Sequence, residues 1–431
     1  MKSKWLVLFL IWLMMLVAYF DRINLPVAAT AMMASLHLNK AQWGLVLAAF
    51  TLGYAIMQAP GGHFADRLGS RRLLIAAIFV WSVFTGLTGT AITLTMLIAI
   101  RLSFGFGEGL ENGAQFKLVG EYFEPKERAF ANSIFLSALA LGPMIGSPAA
   151  TWLVLHFGWQ RMFYSFAVVG VVVGLLLIAL LPRDGKQRER ELDRNSAADL
   201  MTNPGASEFS QYPRPHLNAR LANVTVHEPS PSFRIALRQP TSWLCAGGYF
   251  MFNVAFWGFL SWVPTYLKED RHIPLAQSWL IAALPYFAGF IGMVLTGWMG
   301  SSLFAQARSR VVAVCLFGAA VGLVFALTAQ EIGMCVSGLC VAGFFLYGVF
   351  GPFWAIAIDL APTNARGVFT GTVNCCGQIG AFSSQIIIGL LANSMKSFTG
   401  AILFMVGALC VGTCIMFALH QMLVRPQRVI G

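Results

Sequence analysis

GHFADRLGSRR, residues Gly62 to Arg72, is a polar stretch holding three arginines, an aspartate and two glycines. It is bounded by apolar runs near 43 to 63 and 72 to 91. Each run has roughly the 20 residues needed to cross a hydrocarbon core of about 30 Å. Lys and Arg are retained on the cytoplasmic side of a membrane, so a short basic stretch between two such runs reads as a tight inside turn between two membrane spans.

The same reading extends outward along the chain. Apolar runs near 8 to 33, 43 to 63, 72 to 91, 94 to 116, 130 to 153, 162 to 181, 241 to 266, 277 to 299, 310 to 329, 332 to 357, 368 to 393 and 398 to 420 predict twelve spans. They are helices, because open strands leave backbone groups unpaired in lipid. Composition agrees: 57% of the 431 residues are hydrophobic and 11% charged, against about 25% charged in soluble domains. Mean hydropathy is +0.70. The first run contains Asp21 and Arg22 and is followed by no small-residue cleavage site, so it reads as a span and not a cleavable signal peptide.

With both termini inside, 22 basic residues fall on the cytoplasmic side, 5 on the other and 2, Arg22 and Arg101, within spans. Setting aside the nine in the long central loop leaves 13 against 5. The formal charge of +11 is thus accounted for by topology and lipid headgroups, without nucleic acid. The central loop, 183 to 238, opens RDGKQRERELDR and continues through Pro, Ser, Asn and Gly, a composition that cannot bury enough surface to fold. It divides the chain into an N-terminal bundle, 1 to 182, and a C-terminal bundle, 239 to 431. The eight cysteines all lie in predicted spans of the second half and read as packing residues, not as a disulfide or metal framework.

The halves repeat. At an offset of about 238, Pro26 falls on Pro264 and Gly113 on Gly351. Glu121 stands seven residues before Arg128, as Asp359 stands seven before Arg366. At an offset of 236, Trp43, Gly53, Gly61 and Arg72 fall on Trp279, Gly289, Gly297 and Arg308. Internal duplication of this kind implies two pseudo-symmetric six-helix bundles with a site between them near the midplane.

In these features the chain resembles the major facilitator superfamily, whose loop between helices 2 and 3 has the pattern G-x-x-x-D-R-x-G-x-R-R carried here by Gly62, Asp66, Arg67, Gly69, Arg71 and Arg72. Physically, Asp66 can sit at the positive N-terminal end of a neighbouring helix. The arginines can pair with acidic groups and hold the cytoplasmic face shut, a conformational gate; a plain positive-inside turn made tight by glycines is the alternative. Within that superfamily, YFDRINLPVA and RLSFGFGEG resemble the anion:cation symporter family, and SWVPTYL and the APTNARG turn extend the likeness over all twelve spans.

Four ionisable residues, Asp21, Arg22, Arg101 and Glu108, are predicted inside the bilayer, where a charge costs about 3 kcal/mol even on the lenient insertion scale. Arg101 and Glu108 are two helical turns apart, on one face and about 10 Å apart along the axis. In the repeat, Asp21 and Arg22 align with Phe259 and Leu260, and Arg101 and Glu108 with Leu339 and Leu346, so the midplane charge belongs to the first half. Buried ion pairs seldom stabilise more than a hydrophobic replacement does, so their cost points to function. The resemblance implies that Asp21 and Glu108 take up protons and that the arginines bind or gate a substrate carboxylate. The expected division is Arg22, on the first helix near Pro26, as the substrate contact and Arg101 as the acid's partner. Tyr19 and Tyr54 match substrate-binding tyrosines of the sugar-acid members. Glu111, one turn nearer the cytoplasm, reads as an interfacial residue in preference to a second acidic site.

In helix 11, Asn374 and Gln378 are four apart on one face, uncharged donors suited to substrate hydroxyls. Helix 5 departs from the sugar-acid pattern: Leu136 and Leu139 stand where polar residues are expected, which favours a less hydroxylated carboxylate. The seven histidines are scattered and no nucleophile motif stands out, which argues against an enzyme, a metal site or any cofactor. A drug exporter of the same fold needs an acidic cavity, whereas here two arginines balance two acids. The expectation is a monomeric multi-pass protein of the cell inner membrane that imports a small organic anion with protons.

Overall fold

The computed structural model describes residues 2–123, 127–182, 239–301, 304, 306–361 and 366–424. The central loop, 183–238, lies outside the described residues, as do residues 362–365. The regular structure is helical: α1 (Lys2–Ser35), α2 (Lys40–Leu68), α3 (Ser70–Thr88), α4 (Leu94–Gly109), α5 (Glu111–Tyr122) and α6 (Arg128–Leu180) in the first half. The second half holds α7 (Pro240–Glu269), α8 (Leu275–Ser301), α9 (Arg308–Thr328), α10 (Ile332–Gly348), α11 (Phe350–Leu360), α12 (Arg366–Ser394) and α13 (Thr399–Val424).

These thirteen elements map onto the twelve predicted spans once three breaks are placed. The fourth and tenth spans are each divided, at Leu110 and at Val349, close to one another in the repeat and both helical in their dihedrals. The fifth and sixth spans are joined as α6, whose one non-helical residue is Gly158 at φ 83° and ψ 164°. A side chain is strained in that region, so glycine supplies the turn. Before it, Trp12 Nε1 donates to Ser137 Oγ (3.1 Å) and Lys4 Nζ pairs with Glu127 (2.7 Å), so the chain runs alongside α1. After it, Arg71 meets Ile178 and Leu181 near the start of α3, so the chain has reversed.

The predicted loop at Gly62 to Arg72 is shorter than its composition implies. Helix α2 runs through it to Leu68, and the break is Gly69 alone, at φ 89° and ψ 144°, before α3 begins. Pro60 inside α2 does not end the helix, nor do Pro26 in α1 and Pro264 in α7. Neighbouring helices can re-satisfy the groups that a membrane proline frees. Among the described residues, nine helical stretches are long and apolar enough to cross a membrane, Ala131–Leu180 having length for two crossings.

The halves meet along α2 with α12, α6 with α8 and α1 with α7. At the end away from the chain termini, Lys40 Nζ pairs with Glu269 Oε2 (2.8 Å) and lies 4.8 Å from the Phe398 ring. Lys268 Nζ donates to Thr30 Oγ1. There Gly44 and Gly389 face each other so closely that a Cβ on Gly389 would come within 3.0 Å of the Gly44 Cα. At the termini end, Arg308 pairs with Asp359 (2.5 Å), two positions that the internal repeat sets opposite Arg72 and Glu121.

Candidate functional site

The fold brings the four predicted midplane charges into the interior of the first half. Asp21, Arg22, Arg101 and Glu108 are all buried. Arg22 Nε lies 3.0 Å from Glu108 Oε2, joining α1 to α4. Glu111 is also fully buried, and its Oε1 lies 3.7 Å from Arg22 Nη2. Its expected interfacial position is therefore corrected: α5 begins at Glu111 by turning it inward beside Glu108, and Gln115 Nε2 donates to its Oε2 (3.2 Å).

The ion pairing of the arginines differs from the expected one, in which Arg101 held the acid. Arg22 is the partner of the acids. Arg101 has no carboxylate within 4.0 Å among the described residues, and its Nε and Nη1 are buried without a hydrogen-bond partner. The α1 helix places Arg22 within ion-pair distance of Glu108 on α4. Asp21 accepts from Asn24 Nδ2 (3.2 Å) through Oδ1, and its Oδ2 is unpartnered. A desolvated guanidinium with open donors is a strong anion receptor, since its planar fork can hold both oxygens of a carboxylate.

Aromatic rings enclose the arginines. The Arg22 guanidinium carbon lies 4.4 Å from the Tyr19 ring and 4.9 Å from that of Tyr54. It is 5.7 Å from Trp257 and 5.8 Å from Phe50. Phe50 also faces Arg101, at 5.4 Å, and Phe104 lies 4.2 Å from that guanidinium. Such contacts contribute about 0.5 to 2 kcal/mol each, more where water is excluded. Trp257 and Phe50, which the sequence reading passed over, bring the two halves together at 5.9 Å. One signal for Trp257 was present: it stands 238 residues after Tyr19, at the repeat offset.

From the second half, Asn374 and Gln378 separate in role. Asn374 Nδ2 donates across the seam to Gln58 Oε1 (2.7 Å), while Gln378 is buried with its Oε1 unpartnered. Gln385 is a packing residue, bound to Trp262, Trp257 and Ser261 of α7. Leu139 is buried, and its carbonyl accepts from Tyr347 Oη (3.3 Å) of the other half. Of the basic turn, Arg67 and Arg72 are exposed. Arg71 donates to the carbonyls of Leu181 (2.8 Å) and Ile178 (2.6 Å), where the end of α6 leaves orphan acceptors of partial negative charge. Gly62 and Asp66 lie on the α2 backbone, and their surroundings are outside the described residues.

Twelve spans, a duplicated half and one charged interior define the architecture, and the family profile described as Major Facilitator Superfamily matches residues 11–385. The chain belongs to the Major Facilitator Superfamily. It is a multi-pass membrane transporter, not an enzyme. The chain is 27% identical to the hexuronate transporter of Bacillus subtilis over 419 residues, 95% of this chain and 93% of that one. It is 28% identical to the probable galactarate/D-glucarate transporter GarP of Escherichia coli, covering 96% of this chain and 94% of the other. It is 29% identical to the probable sulfoacetate transporter SauU of Cupriavidus necator, covering 92% and 89%. Among solved structures, a bacterial homolog of the human lysosomal transporter Spinster, inward-facing and unoccupied, superposes with a TM-score of 0.71. Identity there is 18%, covering 98% of this chain and 95% of that one, a likeness of fold.

Proposed function

We propose that this superfamily member imports a small organic anion, a sugar acid or related carboxylate, by proton symport through alternating access. The observation that carries the reading is Arg101, a buried guanidinium with unpartnered donors beside the Arg22–Glu108 pair. The relatives named as hexuronate, galactarate/D-glucarate and sulfoacetate transporters support an anionic substrate. In this reading Arg101 receives the substrate carboxylate or sulfonate. Protonation of Glu108 then weakens its hold on Arg22, and Asp21 is the second proton site. Tyr19, Tyr54, Asn374 and Gln378 line the remainder and meet substrate hydroxyls or its carbon frame.

In this reading the protein acts as a monomer in the inner membrane, with both termini and the Gly62 to Arg72 turn facing the cytoplasm, an orientation that the basic-residue asymmetry supports. The bundles 1–182 and 239–431 move about the site, with Asp66, Arg67, Arg71 and Arg72 weighting the balance between open states. A drug exporter of the same fold fits less well, because it has no use for a desolvated cation with open donors.

The decisive experiment is uptake of labelled sugar acids, tartrate, aromatic acids and short dicarboxylates into vesicles, with and without an inward proton gradient. Gradient-driven accumulation of one of them is the expected result. Drug resistance conferred on a sensitive host, with uptake of none of these anions, overturns the proposal. The gate is tested separately by cysteine accessibility on the two faces: Asp66→Ala should change the labelling ratio while leaving substrate binding intact.

A further inference from the structure

The charged interior is not balanced. Three carboxylates, Asp21, Glu108 and Glu111, face two guanidiniums, Arg22 and Arg101, and all five residues are buried. Arg22 is divided between two of the acids, with Nε at 3.0 Å from Glu108 and Nη2 at 3.7 Å from Glu111. Glu111 is held in place from below by Gln115. When Glu108 takes a proton and weakens its hold, Arg22 still has the Glu111 carboxyl group beside it, at 3.7 Å. Arg22 Nη2 makes no hydrogen bond but faces Glu111, whereas Arg101 is the guanidinium of the two whose buried Nε and Nη1 have neither a hydrogen-bond partner nor a carboxylate within 4.0 Å among the described residues. The second half adds no cation at the matching positions, since Phe259, Leu260, Leu339 and Leu346 are buried and apolar. Its polar groups near the site, Asn374 and Gln378, are neutral amides.

We propose that Glu111 restricts this site to substrates with a single negative charge. A carboxylate stripped of water requires a charge-assisted partner. A monoanion finds one on Arg101. A dianion needs a second guanidinium, and Glu111 keeps Arg22 from serving as one. This proposal rests on the organic-anion reading above and narrows it from anions in general to monoanions such as aldonates and uronates, at the expense of aldarates and other diacids.

The test uses acids matched in carbon number that differ in a second carboxylate: galactonate against galactarate, and butyrate against succinate. Binding to the purified full-length protein at neutral pH is read from the ligand-dependent rise in unfolding temperature and from competition between members of a pair. The wild-type protein is expected to favour the monoacid of the pair it binds by at least about tenfold, the scale of one charge-assisted bond. Glu111→Gln is expected to shift that ratio toward the diacid by about ten- to a hundredfold, by freeing Arg22. Equal or tighter binding of the diacid by the wild-type protein overturns the proposal, as does an unchanged ratio in folded Glu111→Gln. Should that variant fail to fold, the wild-type ratio alone decides. Binding of neither member of either pair, nor of any other organic anion, fails the organic-anion reading itself and takes this proposal with it.

Discussion

Arg101 and Leu339 stand at matching positions in α4 and α10, 238 residues apart, and both are buried; so do Glu108 and Leu346. The first half surrounds this depth with carboxylates, guanidiniums and tyrosines. The second fills it with apolar and aromatic packing, in which Phe259 meets Tyr286 edge-on at 6.3 Å and Tyr286 Oη donates to the Leu260 carbonyl (3.5 Å). Two copies of one architecture therefore differ in where they hold buried charge. A buried charge costs about 3 kcal/mol or more, so one half carries that cost and the other is free to pack. The second half reaches the site through neutral groups, the Trp257 ring and the amides of Asn374 and Gln378. The comparison predicts that proton coupling and anion binding fail with changes in the first half, whereas changes in the second half adjust affinity or conformational balance.

The largest effect is expected from neutralising an acid of the first half. Asp21→Asn or Glu108→Gln should abolish uphill accumulation, bringing internal substrate level with the medium, while exchange of labelled substrate across the membrane persists. Vesicle uptake under an imposed proton gradient measures both. Accumulation at the wild-type level in either variant breaks the division between the halves.

Next in size are the arginines. Arg101→Lys keeps the charge and removes the planar fork, so substrate binding should weaken by about ten- to a hundredfold. Arg22→Lys should act mainly on the pH dependence of transport, because Arg22 is the acids' partner. Isothermal binding and pH-resolved uptake separate the two. If the effects are exchanged, Arg22 leaves Glu108 to bind substrate and the arrangement described here belongs to another step of the cycle.

How much of this was legible in the sequence differs from residue to residue. Burial of the four midplane charges followed from the length of the apolar runs, and their confinement to one half followed from the repeat. Their pairing did not. It depends on the rotation of α1 against α4, and adjacent residues such as Asp21 and Arg22 point about 100° apart on a helix, which periodicity alone cannot orient. Glu111 misled for a related reason: depth along the chain placed it near an interface, while the start of α5 turns it inward. The turn at Gly62 to Arg72 read as a loop because of its polar residues, yet helix α2 continues to Leu68, its polar side chains needing no loop at a membrane edge. Gly158 carried no distinguishing signal among 42 glycines, although it is the point at which α6 reverses.

Trp257 tests the second half's own contribution. Its ring lies 5.7 Å from the Arg22 guanidinium and 5.9 Å from Phe50, across the seam. Trp257→Leu keeps apolar bulk and removes the ring face, at a cost of about 0.5 to 2 kcal/mol, or roughly two- to thirtyfold in affinity. Proton coupling should survive, since no proton site is touched. Loss of gradient-driven accumulation with binding intact would place coupling in both halves.

The smallest effect is expected where the halves meet as equals. Lys40 of α2 pairs with Glu269 of α7 and faces Phe398, and its side chain is 18% exposed against 29% for Glu269. In the alternating-access reading, this pair between the halves breaks when the end away from the termini opens. It is solvent-accessible, so screening leaves it about 0.2 to 1 kcal/mol. Lys40→Met should therefore shift the population toward the state open at that end by about one and a half- to fivefold. Substrate affinity measured in each state should be unchanged, because no midplane group is altered. Labelling of single cysteines near Ser35 and near Lys4, in a background lacking the native cysteines, reports the two ends separately. Raising the salt concentration should reduce the difference between Lys40→Met and the parent, because screening weakens the ion pair that the parent alone retains. A labelling ratio that does not move, or a shift that is indifferent to salt, assigns closure of this end to the close approach of Gly44 and Gly389 and leaves the ion pair without a part in it.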